Sequence, residues 1–179
     1  MLAIYKKELK SYFTSMTGYV FIAFFLCIIG IYYVAYNLVG SLANFEYVLS
    51  SASFLFVLLV PILTMRIMAE EKKQKTDQLL YTSPLSPTSI IMGKYLAVIT
   101  VFLIAMAIVS LYPVILLQFG NIPLKIAYGS ILGFLLLGAA YIAIGLFISS
   151  LTESQLVAAV VSFVVMLITV LMSGIVEMF

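Results

Sequence analysis

The sequence predicts an all-α integral membrane protein, an amphipathic interfacial helix followed by five transmembrane helices. Three observations predict it. The 179 residues are 65% hydrophobic and 9% charged, with mean hydropathy +1.25, whereas a soluble globular chain carries about 25% charged residues. So few polar groups cannot cover a surface in water, and lipid must be the solvent. Five apolar runs approach the ~20 residues that a helix needs to cross a bilayer. The basic residues are also segregated along the chain, as the topology of membrane proteins requires. The length fits one domain, 1–179.

Residues 1–16 form the interfacial helix. Leu2, Tyr5, Leu9, Tyr12, Phe13 and Met16 share one face at helical spacing, and Ile4 is the exception. Lys7, Lys10 and Thr14 share the opposite face, with Lys6 at its edge, so Lys6, Lys7 and Lys10 suit anionic headgroups at the membrane interface. Thr17-Gly18 lets the chain turn into the first span. The five spans are Gly18 to Leu38, about Val48 to Met65, about Tyr95 to Phe119, Ile126 to Ser149 and Leu156 to Val176. With the N-terminus inside, eight of the nine Lys/Arg fall in inner segments, and only Lys125 falls outside. Residues 66–94 and the turn Ser149 to Gln155 are then cytoplasmic. The loop Asn37 to Tyr47, the turn Gly120 to Pro123 and the C-terminus are external. Pro61 and Pro113 lie inside spans, where each removes a backbone donor and favours a kink. Gly129 and Gly133 have the small-xxx-small spacing that brings helix backbones close, expected within the subunit.

The polar island Arg66 to Lys94 holds five of the nine Lys/Arg and three of the seven Asp/Glu. Met65 to Lys73 continues the second span as a helix. Thr76 caps a short helix through Leu79-Leu80, with Asp77 in its first turn. Ser83-Pro84 stops that helix. Ser86-Pro87 then starts another, with Ser as N-cap and Pro at the first helical position, and this one feeds the third span through Gly93-Lys94. Leu79, Leu80 and Tyr81 have no obvious core within the chain to enter, and they suit a groove on a soluble partner.

Other chemistry is missing. The chain has no His, which removes the commonest general base and metal ligand. Its single Cys27 excludes an internal disulfide framework. There is no P-loop pattern, no metal-ligand cluster and no ionisable residue in a span interior, which argues against a proton-coupled carrier. No catalysis, cofactor, metal or nucleic acid is expected. Two classes remain: a transport subunit, or a non-transport assembly or sensor subunit that recruits a soluble protein through its island.

The stretch MRIMAEEKKQKTDQLLYTSPLSPTSIIMGKYLA resembles the first cytoplasmic loop of type-2 ABC exporter permeases. The matching residues are Glu70-Glu71, Lys72-Lys73, Thr76, Leu79-Leu80, Pro84 and Gly93-Lys94. YIAIGLFISSLTESQLVAAVVSF, Tyr141 to Phe163, looks like the turn between the fourth and fifth spans of that family. KKELKSYFTSMTGYVF is similar to its interfacial helix, and the detail is closest to the gliding-motility-type branch. Lys75 stands where the family usually has Gly, Asp77 replaces the usual Glu, and the chain stops before the family's sixth span, so the fold is expected to be C-terminally incomplete. The resemblance implies the permease subunit of an exporter, in the inner membrane of a bacterium, paired with a second permease subunit. It further implies that the loop docks a separate ABC ATPase. Glu70, Glu71, Thr76, Leu79, Leu80 and Pro84 form the expected docking set.

Overall fold

The structure, a computed structural model, describes residues 1–40, 44–73, 86–118 and 123–176, without the side chains of Glu70, Lys73 and 173–176. The regular structure in these residues is helical: α1 (Leu2–Thr14), α2 (Thr17–Tyr33), α3 (Glu46–Ala52), α4 (Leu55–Lys73), α5 (Pro87–Val109), α6 (Tyr112–Leu116), α7 (Leu124–Leu151) and α8 (Gln155–Val176), with a π-helical turn, Val34–Val39, continuing α2. Four helical stretches are long and apolar enough to cross a membrane, and the bent pair α3–α4 makes a fifth if it counts as one span. The expected short helix carrying Leu79 and Leu80 lies outside the described residues, as do the turn at 119–122 and the last three residues.

Local signals place several boundaries as expected. Ser86 is the N-cap of α5: its backbone is extended, its Oγ accepts from the N–H of Ser89, and Pro87 follows at a position whose missing N–H costs nothing. Gly18 lets α2 fold back against α1, because a Cβ there would lie 2.8 Å from the carbonyl oxygen of Tyr12.

The second span departs from the expected continuous run. It breaks at Ser53-Phe54, and α3 and α4 meet at 56°. Ser53 donates from both Oγ and N to the carbonyl of Ser50, at 2.6 and 3.1 Å, a local bonding pattern that competes with the helical ladder. Helix α4 meanwhile continues through Pro61. The third span is likewise interrupted at Ser110-Leu111, where Pro113 falls in the first turn of α6 rather than in mid-helix.

The amphipathic reading of α1 also needs correction. Ile4, the outlier of the predicted apolar face, is buried, as is Tyr12, while Leu2 is 73% and Met16 82% exposed. Ile4, Glu8 and Tyr12 recur every four residues and form one stripe along α1. A Cβ at Gly93 of α5 would come within 3.2 Å of Ile4. The helix therefore buries the stripe of Ile4 and Tyr12 and half-buries a second one of Tyr5, Leu9 and Phe13, and a single-face pattern cannot show both.

Helix α4 is the hub, packing on α7 and α8 and also touching α2 and α5. Apolar side chains gain little from leaving lipid, so close packing must hold such helices together. An aromatic knot supplies it. Phe56 of α4 lies 5.7 Å from Phe102 of α5, 4.5 Å from Phe134 and 5.8 Å from Tyr141 of α7, and Phe25 of α2 lies 5.8 Å from Phe102. Gly138 makes room for it: a Cβ there would come within 2.6 Å of the Phe102 ring. Gly145 does the same for Thr64. Gly129 and Gly133 instead have nothing within 4 Å, so they do not serve the packing expected of them within the subunit. Gly138→Val is expected to destabilise the detergent-solubilised protein by about 1–3 kcal/mol, the usual cost of overpacking, whereas Gly133→Val leaves thermal unfolding nearly unchanged.

Candidate functional site

The charged residues of α1, α4 and α5 meet at one end of the bundle, at the roots of the segment 74–85. Helix α4 ends there at Lys73 and α5 begins there at Pro87. At the centre is Lys94, whose side chain is 1% exposed. Its ammonium has three donors, and three acceptors surround it. Glu71 Oε2 lies at 2.8 Å, Glu8 Oε1 at 3.3 Å and the carbonyl oxygen of Ile67 at 2.9 Å. The other oxygen of Glu71 takes Lys7 Nζ at 3.3 Å, and Lys7 also lies 3.8 Å from Glu8. Two lysines and two carboxylates thus form a neutral cluster that ties α1, α4 and α5 together.

The burial explains the pairing. An ammonium out of water is costly unless it is paired and hydrogen-bonded. Gly93 supplies the geometry: without a side chain it lets α1 approach α5 at Ile4, which brings Glu8, one turn along α1, to the neighbouring Lys94. The residues Gly93-Lys94 act as a unit.

Two further contacts fix this end of α4. The Ser149 hydroxyl of α7 enters the helical ladder, donating to the carbonyl of Met65 and accepting from the N–H groups of Met68 and Ala69, each at 3.3 Å. Such insertions locally loosen a helix while binding it to its neighbour. Lys72 Nζ donates to the carbonyl of Ser150. On the other side, the Tyr12 hydroxyl donates to the carbonyl of Leu63 at 2.9 Å. Burial pushes the Tyr12 phenol well above the usual tyrosine range, the nearby Glu8 adds to this, and Arg66 opposes it.

The residues expected to dock a partner divide into three groups. Glu71 faces its own chain, 15% exposed and held by Lys94 and Lys7. Glu70 lies on α4, with its side chain outside the described residues, and Thr76, Leu79, Leu80 and Pro84 lie outside them altogether. Lys6, Lys7 and Lys10 are exposed along α1. The sequence places Lys94 among the topology-setting charges and in the Gly93-Lys94 pair that enters the third span. It stands eight residues into α5, within a stretch apolar enough to cross a membrane and after a glycine, and that combination was its available signal. Among the described residues, no group of His, Cys, Asp or Glu could hold a metal ion.

Lys94→Met leaves Glu8 and Glu71 together without their buried cation, and is expected to cost about 3–5 kcal/mol in unfolding free energy. Tyr12→Phe is expected to cost about 1 kcal/mol through the lost hydrogen bond. The Tyr12 phenol is held protonated in the fold, so its contribution is whole below about pH 10, the ordinary tyrosine pKa. It declines above that pH as the unfolded chain ionises first. Unfolding measured from neutral to alkaline pH should therefore show a shallower alkaline loss in Tyr12→Phe than in the parent.

Residues 39–179 match the family model described as ABC-2 family transporter protein. No curated protein and no solved structure matches the chain. The match spans all the elements from α3 to α8, and it agrees with a helical bundle of membrane-span length. The chain belongs to the ABC-2 transporter family, and it is a multi-pass membrane permease component of an ABC transporter.

Proposed function

We propose that this permease couples ATP hydrolysis on a separate ATPase subunit to export of a substrate across the membrane, with 66–94 as the coupling loop. The observation that carries the reading is the Lys94–Glu71–Glu8 cluster. It joins the helices on both sides of the loop to α1, at 2.8 and 3.3 Å. A push on the loop would therefore move α1, α4 and α5 as one body. Helix α4, packed on α7 and α8, would pass that motion into the bundle. The charged end lies in the cytoplasm in this reading, as the excess of Lys/Arg there favours. A second permease subunit completes the translocation path, and the sequence detail is closest to the gliding-motility-type branch.

Within the loop, the contacts divide by role. Glu71 holds the root. Glu70, Thr76, Leu79, Leu80 and Pro84 meet the ATPase, the leucines filling a groove on its surface while the polar residues rim it. Truncating a buried anchor at such an interface can cost ~2 kcal/mol or more. Leu79→Asp should therefore abolish permease-stimulated ATP hydrolysis in a reconstituted complex, while the variant still inserts in the membrane. Unchanged stimulation by Leu79→Asp would remove the docking role from the loop. An ABC ATPase should also dominate what co-purifies with the chain from native membranes, and its absence there would favour a non-transport recruiting role.

A further inference from the structure

Helix α4 is held at two places. Phe56 in its first turn belongs to the aromatic knot, and Glu71 near its other end belongs to the Lys94 cluster. Any displacement of one relative to the other has to be taken up by the turns between them. Lipid restricts that, because a bending helix opens backbone hydrogen bonds and no water is at hand to replace them. A bend therefore needs a substitute partner, and a side chain inserted into the ladder is one of the known causes of bending. Ser149 of α7 is such a side chain.

A serine hydroxyl has one proton to donate and two lone pairs to accept with. In Ser149 all three go to the backbone of α4: the proton to the carbonyl of Met65, the lone pairs to the N–H groups of Met68 and Ala69. The hydroxyls of Thr64, Thr100, Ser130, Ser150 and Thr169 instead donate to carbonyls three or four residues back in their own helices, the ordinary choice for Ser and Thr in a helix. Ser149 is buried, and one turn before it Gly145 lies against Thr64, where an added Cβ would come within 3.1 Å of the Thr64 Cβ. Small residues thus bring α7 close to α4 over two turns. The three bonds of Ser149 are each 3.3 Å, long beside the roughly 2.7–3.0 Å of ordinary hydrogen bonds. They are shared contacts that follow a moving backbone rather than a tight clamp.

We propose that the turn 65–69 is the hinge of α4 and that Ser149 is its positioning residue, keeping three backbone groups bonded as the helix opens and closes. Beyond the hinge, α4 is tied to α1 by Lys7 and Glu71 at 3.3 Å; before it, by Tyr12 and the carbonyl of Leu63 at 2.9 Å. Bending at 65–69 therefore swings α1 about Tyr12, and its far end at Leu2 moves most. That the hinge serves coupling rests on the function proposed above; that it exists does not.

Ser149→Ala separates a hinge from a simple tie by the sign of its effect. Without the hydroxyl, opening the turn would leave backbone groups unbonded in lipid, so a hinge stiffens. A tie between α4 and α7 would instead loosen. The full chain, with the exposed Cys27 replaced by Ser, takes spin labels at Leu2→Cys on α1 and Leu132→Cys on α7, both exposed positions. Distances are read by double electron–electron resonance on the permease alone in nanodiscs, so neither an ATPase nor a substrate enters the outcome. Ser149→Ala should narrow the distance distribution by roughly 1–2 Å, the scale of ordinary helix shifts. Ser150→Ala, which removes the neighbouring hydroxyl, should leave it as in the parent. Labels at Leu103→Cys of α5 and Leu132→Cys, both within the bundle, should report no change in either variant. A distribution that broadens or stays the same in Ser149→Ala overturns the inference. So does equal narrowing in Ser150→Ala, or a change of the same size between the bundle labels.

Discussion

The buried ammonium of Lys94 is the constraint on which the charged end of this protein depends. An isolated cation there would be strongly unfavourable, so each of its three donors must find an acceptor. Those acceptors come from Glu8 on α1 and from Glu71 and Ile67 on α4. Satisfying one side chain on α5 therefore fixes the position of two other helices. The placement of α1 across α5, the need for glycine at position 93, and the burial of the otherwise anomalous Ile4 follow from that one requirement.

The rest of the bundle is held by a different force. In lipid, packing density replaces the hydrophobic effect as the source of helix association. The aromatic knot around Phe56, with Gly138 and Gly145 admitting its neighbours, supplies that density. The two regions meet in α4. Its first turn belongs to the knot, and its charged end is held by Ser149, Lys72 and the lysine–carboxylate cluster. A helix gripped at both levels is suited to carrying displacement along its length, whereas the local opening of its ladder by Ser149 gives it one place to yield.

Much of this was legible in the residues, for identifiable reasons. The apolar runs, the Ser86-Pro87 start and the Thr17-Gly18 turn are local signals, decided by neighbours within a few positions. The Arg66–Lys94 island stood out by charge alone. What stayed hidden depends on distant partners. Lys94 and Glu8 are 86 positions apart, and neither spacing nor charge count shows that they touch. Ile4 looked misplaced because a helix with two neighbours buries two stripes. Pro113 stands where the third span breaks, four residues after the end of α5 at Val109, whereas Pro61 leaves α4 continuous and the second span breaks instead at Ser53, whose side chain bonds back to its own turn. Glu71 looked like a residue for a partner because its burial is created by α1, a helix more than fifty residues earlier.

Lys94 and Glu71 should form one energetic unit rather than act as two independent charges. A double-mutant cycle of Lys94→Met and Glu71→Gln, read by equilibrium unfolding of the purified protein, tests it most directly. Removing the cation alone leaves two carboxylates without it, and removing Glu71 alone leaves the buried ammonium with Glu8 as its one carboxylate, whereas removing both leaves only Glu8, which keeps Lys7 beside it. The double variant should therefore cost less than the sum of the two single variants, with a coupling energy of about 1–3 kcal/mol. Strictly additive costs would contradict the account, because they would mean that the two side chains do not sense each other across the loop.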